Sequence, residues 1–359
     1  METVEVCVVG GGVTGLAAAW RLGLAGRETV LLERFTLTHD RGSSHGATRI
    51  FRFAYPDPIY VRMAQAALPL WRELEACSGD EILNVTGGLD VGDAATLDRV
   101  ARALEGCGAT AERLDEPRPR FPWVAVEGPA LYSPDTGVLA AARALAAMAG
   151  QARVHGVEIR ESSPAVALVV GDDAVVVRTE DAEIRARRCV VAAGAWAKAL
   201  LEPAGVSLPV YVTREQVFYF RSSTEMLPFI DHRPITRYGV PAFAGAAGVK
   251  VAEHKTGERT SADGRSFDID PEAAARVSAY VAETLPDLDT EPVAFETCLY
   301  TMTADEDFVI DARGPLIVVS PCSGHGFKFG PLVGEALVCL AAGSDPLLPL
   351  ERFALKRFG

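Results

Sequence analysis

Residues 4–34, VEVCVVGGGVTGLAAAWRLGLAGRETVLLER, constrain this chain more than any other stretch. Val4 to Val9 is a short apolar run of strand length, rich in β-branched residues. Gly10, Gly12 and Gly15 follow in the order G-x-G-x-x-G, and Leu16 to Leu24 has the apolar density and alanine content of a buried helix. Thr29 to Leu32 reads as a second strand, ending on Glu33. Strand, glycine turn, helix, strand and terminal acid in this order make a dinucleotide-binding unit. Gly10 permits the tight turn, Gly12 lets the backbone approach a pyrophosphate, and Gly15 lets the helix lie close to the strand. The helix N-terminus offers free N–H groups to the phosphates. Glu33 stands where an acid can hold a ribose hydroxyl. A glycine triplet alone would mark only a tight turn in an ordinary α/β protein. The agreement of strand, helix, second strand and acid is what makes the signal specific.

The 359 residues suffice for two domains, or for one large domain with an insertion, and 49% hydrophobic content supplies the cores. A net charge of −13 argues against a general nucleic-acid or membrane surface. The cysteines, Cys7, Cys77, Cys107, Cys189, Cys298, Cys322 and Cys339, are scattered and odd in number, with no C-x-x-C. A disulfide framework or a zinc cluster is therefore not expected, and no metal site is assigned. The apolar N-terminus carries Glu2 and Glu5 and is broken by glycines, unlike a secretory signal, and no stretch reaches membrane-spanning length. A soluble, cytoplasmic protein is expected. Only five basic residues are lysine: Lys198, Lys250, Lys255, Lys328 and Lys356. Arginine would serve for a solvated charge, whereas lysine is a compact charge that can lose its proton when buried.

Beyond Glu33, the segment RFTLTHDRGSSHGATRIFRFAYPDP is polar and turn-rich, with Ser43 and His45 in its glycine-serine cluster. Thr48, Arg49 and Arg52 then follow among apolar residues. Solvated arginines on a loop are the plain alternative; a buried arginine directly after a nucleotide fold needs an anion. Residues 59–76 have helical spacing with Pro69 as a kink or break, 82–92 look like a pair of strands around Gly87–Gly88, and 94–105 read as a helix. A strand and turn over 130–139 lead into an alanine-rich helix over about 139–150. Several β-rich segments end in Cys189 to Gly194, an apolar strand running into small residues that lets backbone pack against a cofactor. From Pro209 on, YVTREQVFYF alternates as a strand. Residues 235–257 suggest two strands around a glycine-bearing turn, carrying Tyr238, Lys250 and His254. Pro271 to Leu285 reads as a helix, with Asp270 as its N-cap and Pro271 at its first position. The last stretch, from 316, is strand, glycine-broken turn and helix, and should rejoin the first domain. The expected fold is α/β: a Rossmann-like dinucleotide-binding domain from discontinuous segments plus a β-rich α+β second domain. The expected division is 1–84, 138–208 and 304–359 for the first, and 85–137 and 209–303 for the second.

Nearly end to end, the chain resembles monomeric sarcosine oxidase and N-methyltryptophan oxidase, within the D-amino-acid-oxidase-like flavoenzymes. The resemblance rests on GGGVTG, SHGATRIFRFAY, CLYTMTADEDFVID and SGHGFKFGPLVGE, in matching order and spacing. It implies FAD, with Gly10, Gly12, Gly15 and Glu33 on its ADP half, and Arg34, Ser43, Thr48, Gly194, His325 and Gly326 also around it. It implies attachment of the flavin 8α carbon to Cys298 as a thioether, a position to which a thiolate can add. His45 and Arg49 would lie near the flavin and help its attachment or reactivity. Lys250 resembles the lysine that promotes oxygen reduction, by stabilising the charge that develops on O2. Arg52 and Lys328 resemble the pair that binds the substrate carboxylate, and the helix after Lys328 could stabilise negative charge on the reduced flavin. Tyr238, His254 and Tyr300 match positions that shape and polarise the pocket, and Gly324 one whose carbonyl can contact the substrate amine. The plain alternatives are a solvated strand lysine for Lys250, a snorkelling one for Lys328 and packed rings for the others.

The implied reaction is oxidation of a secondary or N-methyl amino acid with a free carboxylate, giving an imine and hydrogen peroxide from O2, in a monomer. Two departures stand out. The loop between Tyr238 and Lys250 is about one residue longer than the family pattern and is expected to border the pocket, and the turn after Asp311 is shorter. The first leaves room for a biosynthetic oxidase of a cyclic imino acid or another modified amino acid. An amine dehydrogenase passing electrons to a protein carrier is the third reading, against which Lys250 argues.

Overall fold

The computed structural model describes residues 1–346 and 348–359. Strand β1 (Glu2–Val9) runs through the glycine turn into helix α1 (Val13–Leu24), and β2 (Thr29–Leu32) lies parallel to β1. Gly10 has φ of +107°, and a Cβ there would sit 2.5 Å from the carbonyl oxygen of Ala192. A Cβ at Gly15 would overlap the carbonyl oxygen of Gly10. Gly15→Ala therefore has to push α1 off the sheet, at about 1–3 kcal/mol. A lower thermal midpoint and weaker retention of a bound dinucleotide in the purified variant are expected; an unchanged midpoint would show that the helix moves freely.

α1 is buried on almost every side, including Val13 to Trp20. The sheet covers one flank, and helices Ala141–Val154 and Gly330–Ala342 cover the rest. Small residues set the approach: a Cβ at Gly334 would meet the carbonyl oxygen of Ala17 at 2.8 Å. The first sheet has a parallel core of Glu158–Arg160, β2, β1, Glu183–Val191 and Leu316–Ser320. The last strand does return, pairing Leu316 to Val318 with Cys189 to Val191. β1 and Glu183–Val191 thus end side by side at the glycine turn, the usual place for a ligand in such a sheet.

The second sheet is nine-stranded and mostly antiparallel. Its long strand, Val210–Phe220, pairs with Ala294–Thr303, and with Val249–Glu253, which forms a hairpin with Arg237–Val240. The expected alternation along Val210–Phe220 is not observed: Thr213, Arg214 and Glu215 are all buried. Their polar groups are satisfied internally, with Thr213 Oγ1 donating to Glu215 at 2.6 Å and Arg214 Nε to the Ser266 carbonyl at 2.9 Å. Asp270 caps helix Pro271–Thr284 by accepting from the N–H groups of Glu272 and Ala273.

Three local expectations need correction. Leu83–Val85 and Gly88–Val91 do not pair with each other; the first joins a small sheet with Thr48–Phe51 and Gly137–Ala140, the second joins the nine-stranded sheet. The Gly87–Gly88 turn is the crossing point between sheets. Pro69 does not break helix Pro58–Ser78; it sits on the exposed side of the helix. The alanine-rich helix begins at Ala141 rather than 139, because Gly137–Ala140 is claimed by strand pairing. Among the described residues, no helix is long and apolar enough to cross a membrane.

Candidate active site

A cavity of about 1020 Å³ is lined by residues of both large sheets. Every residue singled out from the sequence lines it except Gly15, which lies beneath the glycine turn. At one end is the N-terminus of α1. Gly12, its N-cap, is extended and supplies no side-chain cap. The Val13 N–H donates to Ser44 Oγ at 3.1 Å. Glu33 is buried and accepts from the Gly11 N–H at 2.6 Å and the Phe35 N–H at 2.8 Å, one per carboxylate oxygen. Each oxygen keeps a lone pair for a further donor. Arg34 is partly exposed, 3.5 Å from Asp263 and over the Phe35 and Trp196 rings. Gly194, with φ of +52°, closes this end after the strand Glu183–Val191.

A flavin dinucleotide fits here on three observations: the helix N-terminus whose N-cap glycine supplies no side chain, the side-chain-free surface at Gly10 and Gly12, and orphaned buried atoms. His45 Nε2, Thr48 Oγ1 and Ser320 Oγ are buried at the cavity wall without a partner. Such atoms are costly to leave unpaired, and a bound polar ring edge would satisfy them.

The middle of the cavity gathers Arg49, Lys250, Cys298 and His45. Arg49 donates to the carbonyls of Thr48 at 2.8 Å, Ser43 at 2.9 Å and His45 at 2.6 Å, and its guanidinium lies over Phe327. Lys250, 3% exposed, donates to the Thr48 carbonyl at 2.6 Å. It is not the solvated strand lysine of the plain alternative. Burial, then Arg49, lowers its pKa to about 7, while Glu296 and Cys298 oppose the drop. Burial pushes the Cys298 thiol up to about 11 against the pull of Arg49 and Lys250. His45 is brought down to about 3 by burial and Arg49, so its ring is neutral. Cys298 and Tyr300 are two apart on one strand and so share its cavity face. Ser43 is held to this strand by its hydroxyl, which donates to the Leu299 carbonyl.

The far end holds Arg52, Tyr55 and Lys328. Lys328 sits in a single 3-10 turn, Phe327–Phe329, just before the last helix. Trp71 Nε1 holds that turn by donating to the Lys328 carbonyl at 2.7 Å. Lys328 is 6% exposed, not snorkelling, and its Nζ donates to Tyr55 Oη and to the His325 carbonyl, both at 2.8 Å. Burial, then Arg52, brings its pKa well below the usual lysine range. Arg52 stacks over Tyr55 at 4.3 Å, donates to the Ala54 carbonyl and lies 3.5 Å from Asp90. Tyr55 thus stands between two cations, in a place that suits a carboxylate. His254 packs edge-on to Tyr238 and Tyr300, and Gly324 lies against His254 and Tyr300. His325 is more deeply packed, stacked on Phe308 and edge-on to Tyr60.

Ser44, Tyr55, Glu296, Asp90 and His232 are among the polar residues that sequence reasoning missed here. Ser44 and Tyr55 lay inside quoted motifs, and Glu296, which accepts from Tyr219 Oη at 2.9 Å, stands two residues before Cys298. Nothing in the sequence marked Asp90. The longer loop was expected to border the pocket, yet 241–248 contributes no lining residue and only adjoins Val240.

A glycine cradle, orphaned polar atoms and the pairing of Arg52 with a buried Lys328 in one cavity define a flavin-dependent oxidoreductase site. Residues 5–340 match the family of FAD dependent oxidoreductases (DAO), and the chain belongs to it. Within that family it is sarcosine-oxidase-like. It is 31% identical over 374 residues to the monomeric sarcosine oxidase of Bacillus sp. (strain NS-129), covering 98% of this chain and 96% of that protein. It is 28% identical over 380 residues to the N-methyl-L-tryptophan oxidase of Salmonella heidelberg (strain SL476), covering 99% of each. Among solved structures, NikD, an unusual amino acid oxidase essential for nikkomycin biosynthesis, is similar with a TM-score of 0.89 at 26% identity, covering 99% of this chain and 98% of that one.

Proposed function

We propose that the protein oxidises secondary or N-methyl amino acids that carry a free carboxylate, using FAD and O2. The observation that carries this reading is the convergence of Arg52 and Lys328 at one end of a cavity whose other end is a dinucleotide cradle. The amine loses two electrons and two protons to become an imine, and O2 gains them as hydrogen peroxide. Water then hydrolyses the imine, to an aldehyde and a shortened amine or, for a ring, to an open-chain carbonyl. FAD, when bound, supplies the centre that takes a hydride equivalent from the substrate and returns electrons to O2.

The chain's own residues bind and orient. Arg52 and Lys328 hold the carboxylate, whose charge also favours the protonated form of Lys328. Tyr238, Tyr300 and His254 shape the adjoining wall. Burial raises both tyrosine hydroxyls above their usual range and lowers His254 to about 3, so they act as neutral hydrogen-bonding groups. The Gly324 carbonyl is assigned to the substrate amine. Lys250 supplies positive charge beside the Thr48 carbonyl, with Arg49 and His45 nearby. Gly10, Gly12, Glu33, Arg34, Ser43, Thr48, Gly194 and Gly326 are assigned to FAD, and Cys298 to its covalent attachment. The division into 1–84, 138–208 and 304–359 for FAD, and 85–137 and 209–303 for substrate, follows the same reading. A cyclic imino acid is the second reading, favoured by the apolar wall of Val217, Ile230 and Val240, which would take a ring.

Acid precipitation of the purified protein tests attachment. Flavin is expected in the pellet, with an intact mass increased by one FAD, and Cys298→Ala is expected to release it to the supernatant. Free flavin from the unaltered protein overturns the assignment. A panel of N-methyl and cyclic amino acids with peroxide detection tests the reaction. Peroxide from amines lacking the carboxylate, and none from the panel, would defeat the reading.

A further inference from the structure

The carboxylate-binding end contains a charge pair that the clamp alone does not require. Asp90 is 2% exposed, and its Oδ1 lies 3.5 Å from Arg52 Nη1 and 2.7 Å from His232 Nε2. An ionised carboxylate only accepts hydrogen bonds, so His232 Nε2 carries the proton. In the neutral ring Nδ1 then keeps a lone pair. Nδ1 has no partner among the described residues, and His232, unlike Asp90, lines the cavity.

The placement of this ring is built by the fold. Asp90 and Ile230 are register partners on adjacent parallel strands, and the His232 N–H donates to the Val91 carbonyl at 2.8 Å. Asp231, between Ile230 and His232, is fully buried and accepts from Arg233 Nε at 2.8 Å and Tyr280 Oη at 3.1 Å. Side chains alternate along a strand. Ile230 and His232 accordingly both line the cavity while Asp231 anchors the segment from behind. An acceptor on a cavity wall loses hydration when a ligand fills the space, and recovers it only if the ligand brings a donor.

We propose that His232 is a specificity-determining residue, whose Nδ1 accepts a hydrogen bond from a hydroxyl, amine or amide N–H on the ring or side chain of the substrate. Asp90 is a positioning residue: it fixes the tautomer of His232 and one edge of Arg52. The favoured substrate class is a secondary amino acid with an apolar body and one further donor group. The inference rests on the reading that a carboxylate-bearing amino acid occupies this end.

The test uses the holoenzyme and two readouts. Calorimetry compares benzoate with its hydroxy and methoxy isomers, a series offering a donor, an acceptor or neither. Turnover compares proline and pipecolate with their hydroxylated forms. One hydroxylated isomer in each series is expected to exceed its parent by about tenfold, with no gain from methoxy. His232→Phe is expected to bring that ratio near one, and His232→Asn, which keeps an acceptor, to retain part of it. No donor preference in the unaltered protein, equal gain from methoxy, or a preference surviving His232→Phe overturns the proposal. Turnover of the plain amino acids without donor preference sinks it while sparing the proposed reaction. Donor-selective carboxylate binding, lost in His232→Phe, with no amino acid oxidised, would do the reverse.

Discussion

Lys328→Met is expected to lower kcat/KM for carboxylate substrates by roughly 30- to several thousand-fold, because truncating one member of a desolvated, hydrogen-bonded charge pair costs about 2–5 kcal/mol. The Nζ is anchored by Tyr55 Oη and the His325 carbonyl, so it is already aimed before a ligand arrives. Arg52 is restrained on one edge by the Ala54 carbonyl and Asp90, leaving the rest of the fork for the carboxylate. Arg52→Met should show a loss of the same order. The two losses should not add in the double variant, since on the proposed reading both cations meet one carboxylate. A larger effect on KM than on kcat marks loss of uniform binding; an equal effect on kcat and kcat/KM marks loss of orientation in the transition state. Single variants that keep kcat/KM within about threefold of the original, against the range above, would show that the carboxylate is held elsewhere.

Lys250→Met is expected to slow reoxidation of the reduced enzyme by O2 by about 10²–10³-fold, the usual effect of removing one preorganised electrostatic group. Stopped-flow mixing with aerated buffer measures it directly. The pH dependence has a definite sign. Burial and Arg49 lower the Lys250 pKa to about 7, so the cation is present below that value and is lost as pH rises through it. The O2 rate constant should therefore fall with rising pH in the unaltered protein and be flat in Lys250→Met. Glu296 opposes the lowering, so Glu296→Gln should move the fall to lower pH. Slow reoxidation of the unaltered enzyme, with fast transfer to a dye, would favour the dehydrogenase reading.

What was legible in the sequence was local. The β1–α1–β2 unit announces itself because its glycines, apolar runs and acid lie within one short stretch of chain. Lys250 and Cys298 could be picked out, but their burial could not, since it is imposed by strands that the sequence does not pair. Tyr55 illustrates the limit: an aromatic residue in an apolar motif, made polar in effect only by the arrival of Lys328 from the far end of the chain. Asp90 meets His232 across a parallel strand pair, a contact with no local signature. The mistaken pairing of Leu83–Val85 with Gly88–Val91 has the same origin. Two short strands around a glycine pair look like a hairpin, and only their distant partners send them to different sheets.

The return of Leu316–Ser320 and Gly330–Ala342 to the first sheet has a consequence for the order of assembly. α1 emerges early in synthesis, yet the helix that covers its Ala17 face and the strand beside Cys189 to Val191 are among the last segments made. At about 5–20 residues per second, some tens of seconds separate the two on the ribosome. During that interval the glycine turn exists without its roof, and Lys328 has not yet reached Tyr55. The glycine turn and the Lys328–Tyr55 contact are therefore completed together, by the same closing segment, so that, on the proposed reading, a chain able to hold its cofactor firmly is already a chain able to hold its substrate.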